Sequence, residues 1–102
     1  MENKPKCNID INGTKWWRLN GVLHREDGPA VEYCNGYKVW WIHGKIHRLD
    51  GPAIVIGDNG PSGWYINDYD VTDLITTWAK DNNIDLNNLT EVDKALIKII
   101  WG

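Results

Sequence analysis

At 102 residues, with 42% hydrophobic and 25% charged side chains, the chain has the length and composition of one globular domain, not of a disordered polymer or a pair of domains. The net charge of −3 divides unevenly, with eight Lys or Arg against seven Asp or Glu in residues 1–63 and three against seven in residues 64–102. No strongly basic face is implied, so general binding to duplex nucleic acid is disfavoured, while a local anion site in the first half stays open.

In chain order the first feature is a repeat, which sets the architecture. GVLHREDGPA at residues 21–30 returns as GKIHRLDGPA at residues 44–53, an offset of 23. The same offset carries Asn12-Gly13 to Asn35-Gly36, Lys15 to Lys38, Trp17 to Trp40 and Leu19 to Ile42. A third copy begins with Asn59-Gly60, Trp64, Ile66 and Asn67, one residue late, then departs into DYDVTDL where Lys-Ile-His-Arg would stand.

Each unit reads as β-hairpin material. Short runs such as KWWRL, AVEY, KVWWI and AIVIG are separated by Asn-Gly, His-Gly or Asp-Gly pairs, which are expected to supply the positive φ of tight turns. Side chains alternate across a strand, so Trp17, Leu19, Trp40, Ile42, Trp64 and Ile66, together with Val31, Tyr33, Ile54 and Ile56, are the expected core. The opposite face varies between units and suits a partly wet surface.

After Trp64 the apolar period changes from 2 to 3.6. Val71, Leu74, Ile75, Trp78 and Ala79 mark one face of a helix, with Asp70 as its N-cap, Asp73 three residues later and Asp81-Asn82-Asn83 as its stop. A second helix is expected from a Thr90 cap, with Val92, Ala95, Leu96, Ile99 and Ile100 inward and Ile97 and Trp101 widening the stripe. The predicted fold is α+β: an antiparallel sheet of about two and a half β-hairpin repeats (residues 12–68) capped by two C-terminal helices (residues 70–102) in a single domain.

The 23-residue spacing, with Gly-x-x-x-Trp before and Gly-x-x-His after, resembles the MORN (membrane occupation and recognition nexus) repeat, a hairpin unit that stacks into an elongated sheet. More closely, Trp-x-x-x-Gly-x-x-His-Arg-x-Asp-Gly-Pro-Ala resembles the repeat of small proteins of tailed bacteriophages. Arg-x-Asp-Gly-Pro stands here where the typical MORN unit has Gly-x-Gly, so the lipid and junctional roles of some MORN proteins are not implied. The phage resemblance implies a small accessory protein that acts in the host cytoplasm, and no reaction.

The repeated His24-Arg25 and His47-Arg48 admit two readings. In one, each Arg reaches the Asp two residues on, Asp27 or Asp50, and each His packs beside a Trp or a neighbouring strand. In the other, the stacked pairs form a cationic ladder beside Trp16, Trp41, Tyr37 and Tyr65 and bind a small anionic nucleotide. The same aromatic residues suit a protein contact, as does the acidic tail with Asp68, Asp70, Asp73, Asp81 and Asp85. HExxH, CxxC, a phosphate-cradling Gly loop and G-x-S-x-G are all missing, so an enzyme is not expected, nor a metal or other cofactor. His43 is read as a turn residue, in the place of Asn20 and Asn67. Cys7 and Cys34 read as free thiols. No run nears the roughly eighteen apolar residues of a membrane span, and MENKPKCNID lacks a signal-peptide core, so a cytoplasmic protein is expected. The function implied is a non-enzymatic phage-type protein that neutralises a host defence component by sequestering a small anionic nucleotide signal, the alternative being an inhibitor that grips a host protein through its aromatic sheet face or acidic helical tail. Exposed sheet edges also invite homo-oligomers.

Overall fold

Every unit of the repeat folds as an extended segment that changes partner at its central tryptophan. The structure, a computed structural model, describes residues 4–57 and 62–102; Asn59-Gly60, expected to open the third copy, lie outside them. In the first unit, β2 (Lys15–Leu19) pairs through Lys15 and Trp16 with β4 (Val31–Glu32), and through Arg18 and Leu19 with β3 (Val22–Leu23). In the second, β5 (Lys38–Val39) stays in the first sheet, and the chain passes Trp40 into the hairpin of β6 (Trp41–Ile42) and β7 (Lys45–Ile46). In the third, β9 (Ser62–Gly63) leads through Trp64 into β10 (Tyr65–Ile66) and β11 (Tyr69–Asp70).

The main sheet is antiparallel throughout, in the order β1, β2, β4, β5, β8, β9, where β1 is Lys6–Ile9 and β8 is Ile54–Val55. Its first strand, β1, lies outside the repeat and covers the edge of β2 with the register Lys6 to Arg18. The second halves of the units lie side by side as hairpins joined by backbone hydrogen bonds. Arg25 N–H donates to Trp41 O (3.0 Å) and Gly44 N–H to Leu23 O (2.8 Å), while Arg48 N–H donates to Tyr65 O (3.2 Å) and Asp68 N–H to Ile46 O (2.9 Å). Their turns are Asn20-Gly21, His43-Gly44 and Asn67-Asp68, each with both residues at positive φ, the twist a two-residue antiparallel turn requires. His43, at φ 49°, is a turn residue as expected.

The tryptophans are pinned by equivalent bonds. Trp17 N–H donates to Ala30 O and Trp40 N–H to Ala53 O, both at 2.8 Å, while the amides of His24 and His47 return bonds to Trp17 O and Trp40 O at 3.1 Å. In the third unit Val71 stands in the His place and bonds Trp64 O at 2.8 Å. No alanine follows there, and the Thr72 hydroxyl accepts from Trp64 N–H at 3.0 Å instead. The helical cap thus begins at the residue where the Arg-x-Asp-Gly-Pro loop would have started.

Helix α1 (Thr72–Asp81) has Val71 at its N-cap, one residue beyond the predicted Asp70. Asp70 still serves the helix start, since its carboxylate accepts from Thr72 N–H (3.0 Å) and from the Thr72 hydroxyl (2.6 Å). Helix α2 (Glu91–Trp101) begins at the predicted Thr90, whose hydroxyl accepts from Asp93 N–H while the Asp93 carboxylate accepts from Thr90 N–H. The main apolar core sits between the third unit and these helices: Trp64, Ile66, Val71, Ile75 and Ile97, with Leu49, Trp78, Leu86, Leu89 and Trp101 around it. Trp78 and Trp101 join the helices edge to face, centroids 5.0 Å apart.

Two expectations about burial are corrected. Trp17, Leu19, Trp40, Ile42, Ile54 and Ile56 are half-buried and Tyr33 is exposed: the cover over Trp17 and Trp40 is a loop arginine, and Tyr33 lies on the other side of the sheet against Trp16. Helix α2 buries Ile97 and partly Trp101, whereas Val92, Leu96, Ile99 and Ile100, predicted inward, are 68%, 39%, 78% and 50% exposed, and Ala95 is exposed too. Leu74 of α1 also faces outward. Among the described residues, no helix is long and apolar enough to cross a membrane.

Candidate functional site

The two His-Arg-x-Asp-Gly-Pro loops have one construction. The Arg25 guanidinium lies over the Trp17 ring, its carbon 4.0 Å from the centroid; Nε donates to Asp27 Oδ1 (2.9 Å) and Nη1 to Pro29 O (3.1 Å). Arg48 repeats this on Trp40 (3.9 Å), Asp50 Oδ1 (2.8 Å) and Pro52 O (3.0 Å). A planar cation with several donors suits an aromatic face, a carboxylate and a carbonyl at once, which lysine could not match. The Arg25 hydrogen bond and charge hold the Asp27 carboxyl below the ordinary carboxylate range. Partial burial works to raise Asp50, but the Arg48 bond and charge, its own backbone N–H and Lys94 together bring it below the ordinary value.

This geometry corrects the reading of the Asp-Gly turns. Neither Gly28 nor Gly51 has a positive φ; among the described glycines that conformation belongs to Gly13, Gly21, Gly36, Gly44 and Gly57. A Cβ on Gly28 would lie 2.8 Å from the Arg25 guanidinium carbon, and one on Gly51 2.5 Å from that of Arg48. Glycine is there so that the guanidinium can lie between loop backbone and indole.

The histidines tie each unit to the next. His24, 2% exposed, accepts at Nδ1 from the His43 amide (2.8 Å), and the two imidazoles stack with centroids 4.3 Å apart. Its Nε2 lies 3.6 Å from the Glu26 carboxylate. His47 accepts at Nδ1 from the Asn67 amide (3.1 Å), and burial pushes its pKa below the usual histidine value. Each ring thus caps the turn of the following hairpin.

Two equivalent clefts open along this side, each of about 500 Å³. The first is lined by Trp17, Leu19, His24, Arg25, Asp27 and His43, with Lys4 at its rim. The second is lined by Trp40, Ile42, His47, Arg48 and the Arg25 loop, with Lys98 of α2 reaching its rim. The second carries Arg25, Arg48 and Lys98 against Glu26, Asp27 and Asp50, so its charges balance.

Of the eight side chains singled out from sequence, Arg25, His47 and Arg48 meet around the second cleft, and His24 lines the first. The aromatic ones lie elsewhere. Trp16 meets Tyr33 edge to face at 6.0 Å, carries Arg18 at 5.5 Å over its ring, and donates from Nε1 to Asp10 (3.3 Å). Trp41 and Tyr65 are repeat equivalents of Arg18, one residue past the central tryptophans, and so point to the face opposite the clefts. Tyr37 is exposed beside the Asn35-Gly36 turn. Sequence reasoning missed the partnership of Trp17 with Arg25 and Trp40 with Arg48, although an eight-residue Trp-to-Arg interval conserved between units carries that signal. Nothing in the repeat announces Lys98. Among the described residues, no group of three or more His, Cys, Asp or Glu is placed to hold a metal ion. Comparison with protein-family models, with curated proteins and with solved structures finds no match to this chain.

Proposed function

We propose that this chain is a non-enzymatic binding protein that grips a protein partner through the aromatic face of its hairpin sheet. The observation that carries this reading is the division of labour between the two faces. On the cleft side, Arg25 and Arg48 are neutralised by Asp27 and Asp50 inside their own units, and the Nδ1 atoms of His24 and His47 are taken by backbone amides. On the other side, the exposed Tyr33 and Tyr37 and the half-buried Trp16, Trp41 and Tyr65 present large amphipathic rings of the kind that dominate interface energetics. The setting we infer is that of the phage accessory proteins the repeat resembles, with a host defence protein as the target.

A second reading, sequestration of a small anionic nucleotide, draws support from Arg25, Arg48 and Lys98 converging on a cleft floored by Trp40. One experiment separates the two. The purified protein is passed through a bacterial lysate, and bound proteins and small molecules are both identified by mass spectrometry. Trp41→Ala and Tyr65→Ala are expected to lose a stoichiometric protein partner while circular dichroism still reports a folded chain, and Lys98→Ala to retain it. A nucleotide released on denaturation and lost in Lys98→Ala, with no protein partner, overturns the first reading in favour of the second.

A further inference from the structure

We propose that the outward face of α2 is a self-association surface on which a second copy of the chain docks with its own α2 antiparallel. This stands on observations separate from the aromatic binding face and does not depend on it; Lys98 alone is shared with the rim of the second cleft. The helix is fixed from below by Ile97 and Trp101 and at its start by the Thr90 and Asp93 capping pair, so its outer side is held ready rather than free to turn inward. At 3.6 residues per turn, Val92, Ala95, Leu96 and Ile99 form one stripe along that side, with Ile100 at its edge. The aliphatic surface left open amounts to a few hundred Å², the size at which an exposed patch on a single chain marks a contact site.

The stripe fits itself. About a two-fold axis passing between Ala95 and Leu96, Val92 meets the partner's Ile99, and Ile99 meets the partner's Val92; the small Ala95 lets the helices approach at the crossing. The flanking charges agree with this pairing. Glu91 and Lys98 lie on the same edge of the stripe, seven residues apart and opposite in sign, and an antiparallel pair brings Glu91 toward the partner's Lys98 and Lys98 toward the partner's Glu91. The Glu91 side chain is 93% exposed and touches Lys94 only at 3.4 Å, a surface pair that yields readily to a better partner. A parallel pair would lose this match. The area is well below the roughly 1,600 Å² of a standard stable interface, so the dimer is concentration-dependent.

The test is sedimentation velocity on the full chain from about 10 μM to about 1 mM, with circular dichroism and tryptophan fluorescence reporting the fold. The wild type is expected to move from monomer toward dimer across that range, and Leu96→Glu and Ile99→Lys to stay monomeric. Glu91→Lys and Lys98→Glu should each weaken the dimer about three- to tenfold, and the double change E91K/K98E, or an equimolar mixture of the two single variants, should restore it. A wild type that is monomeric at the highest concentration overturns the proposal. So does a dimer that survives Ile99→Lys, or a set of charge variants in which the singles do not weaken or the double does not recover. The charge variants carry the test if an aliphatic variant fails to fold.

Discussion

Replacing Gly51 by alanine should destabilise the protein, although its backbone conformation is one that alanine adopts readily. The new methyl would lie 2.5, 2.7 and 2.8 Å from the guanidinium carbon and nitrogens of Arg48, so the head group must leave its slot. Leaving means losing the cation–π contact with Trp40, of about 1 kcal/mol at a half-buried site, and the bond to Pro52 O, of about another 1 kcal/mol. It also loses the pair with Asp50, whose 55% exposed side chain limits that contribution to about 0.5–1 kcal/mol. Against these stands a gain of about 0.4–1 kcal/mol from the stiffer unfolded chain. The balance is a loss of about 1.5–2.5 kcal/mol, which for a domain of this size lowers the thermal midpoint by roughly 6–20 °C. Thermal and urea unfolding followed by tryptophan fluorescence measure it. The decisive arm is the same change in an Arg48→Met background. With no guanidinium to displace, Gly51→Ala should become stabilising by about 0.4–1 kcal/mol. A substitution that is harmless in the wild type, or of the same sign in both backgrounds, refutes the account of why glycine follows each Asp.

The remaining expectations concern acid, capping and thiols. Burial lowers the His47 pKa below its ordinary 6.5, so the unfolded chain takes up that proton more readily than the folded one. Stability attached to this group is complete above about pH 6.5 and falls as the pH drops through it; urea unfolding at about pH 7.5 and 5.5 should show a smaller acid loss in His47→Gln, and equal losses would contradict the assignment. Asp50 is shifted the same way from 3.8, with the opposite ionisation: its charged form is favoured on folding, and that stability is lost as pH falls below the ordinary value, a loss that Arg48→Met should diminish. Thr90→Ala removes one half of the α2 capping pair and should cost about 1 kcal/mol in urea unfolding, while Thr90→Ser should cost far less. Cys7 and Cys34 are free and exposed, so a thiol reagent should titrate both in the native protein without denaturant.

The architecture was legible because the period was written in residue identities as well as in hydrophobicity. Asn20-Gly21 and its counterparts announce turns through chemistry that acts within two residues, and the Thr90 cap through chemistry that acts within four; such local rules survive folding unchanged. What failed to show were choices made between distant segments. Helix α2 is apolar on most of its circumference, and only the platform of Trp64, Ile66 and Ile75, met after folding, selects Ile97 and Trp101 as the buried side. The Asp-Gly pairs misled in the same way: glycine in a turn predicts positive φ from local rules, yet here it is demanded by an arginine three residues earlier that folds back over it. At the candidate site the Arg-to-Asp pairing lies two residues apart and could be anticipated, whereas Lys98 enters the cleft from a helix fifty residues downstream.

Each arginine finds its counter-ion, its carbonyl and its glycine within four residues of itself, and its indole eight residues before. A unit therefore arrives with its charge already settled and its central indole already covered, and makes few demands on its neighbours beyond backbone pairing and one imidazole. A stretch of gene encoding one such unit can be copied or lost by recombination without compensating mutations elsewhere. The length of the sheet is in that sense a heritable variable, which can change by whole units while the terminal helices continue to close the stack.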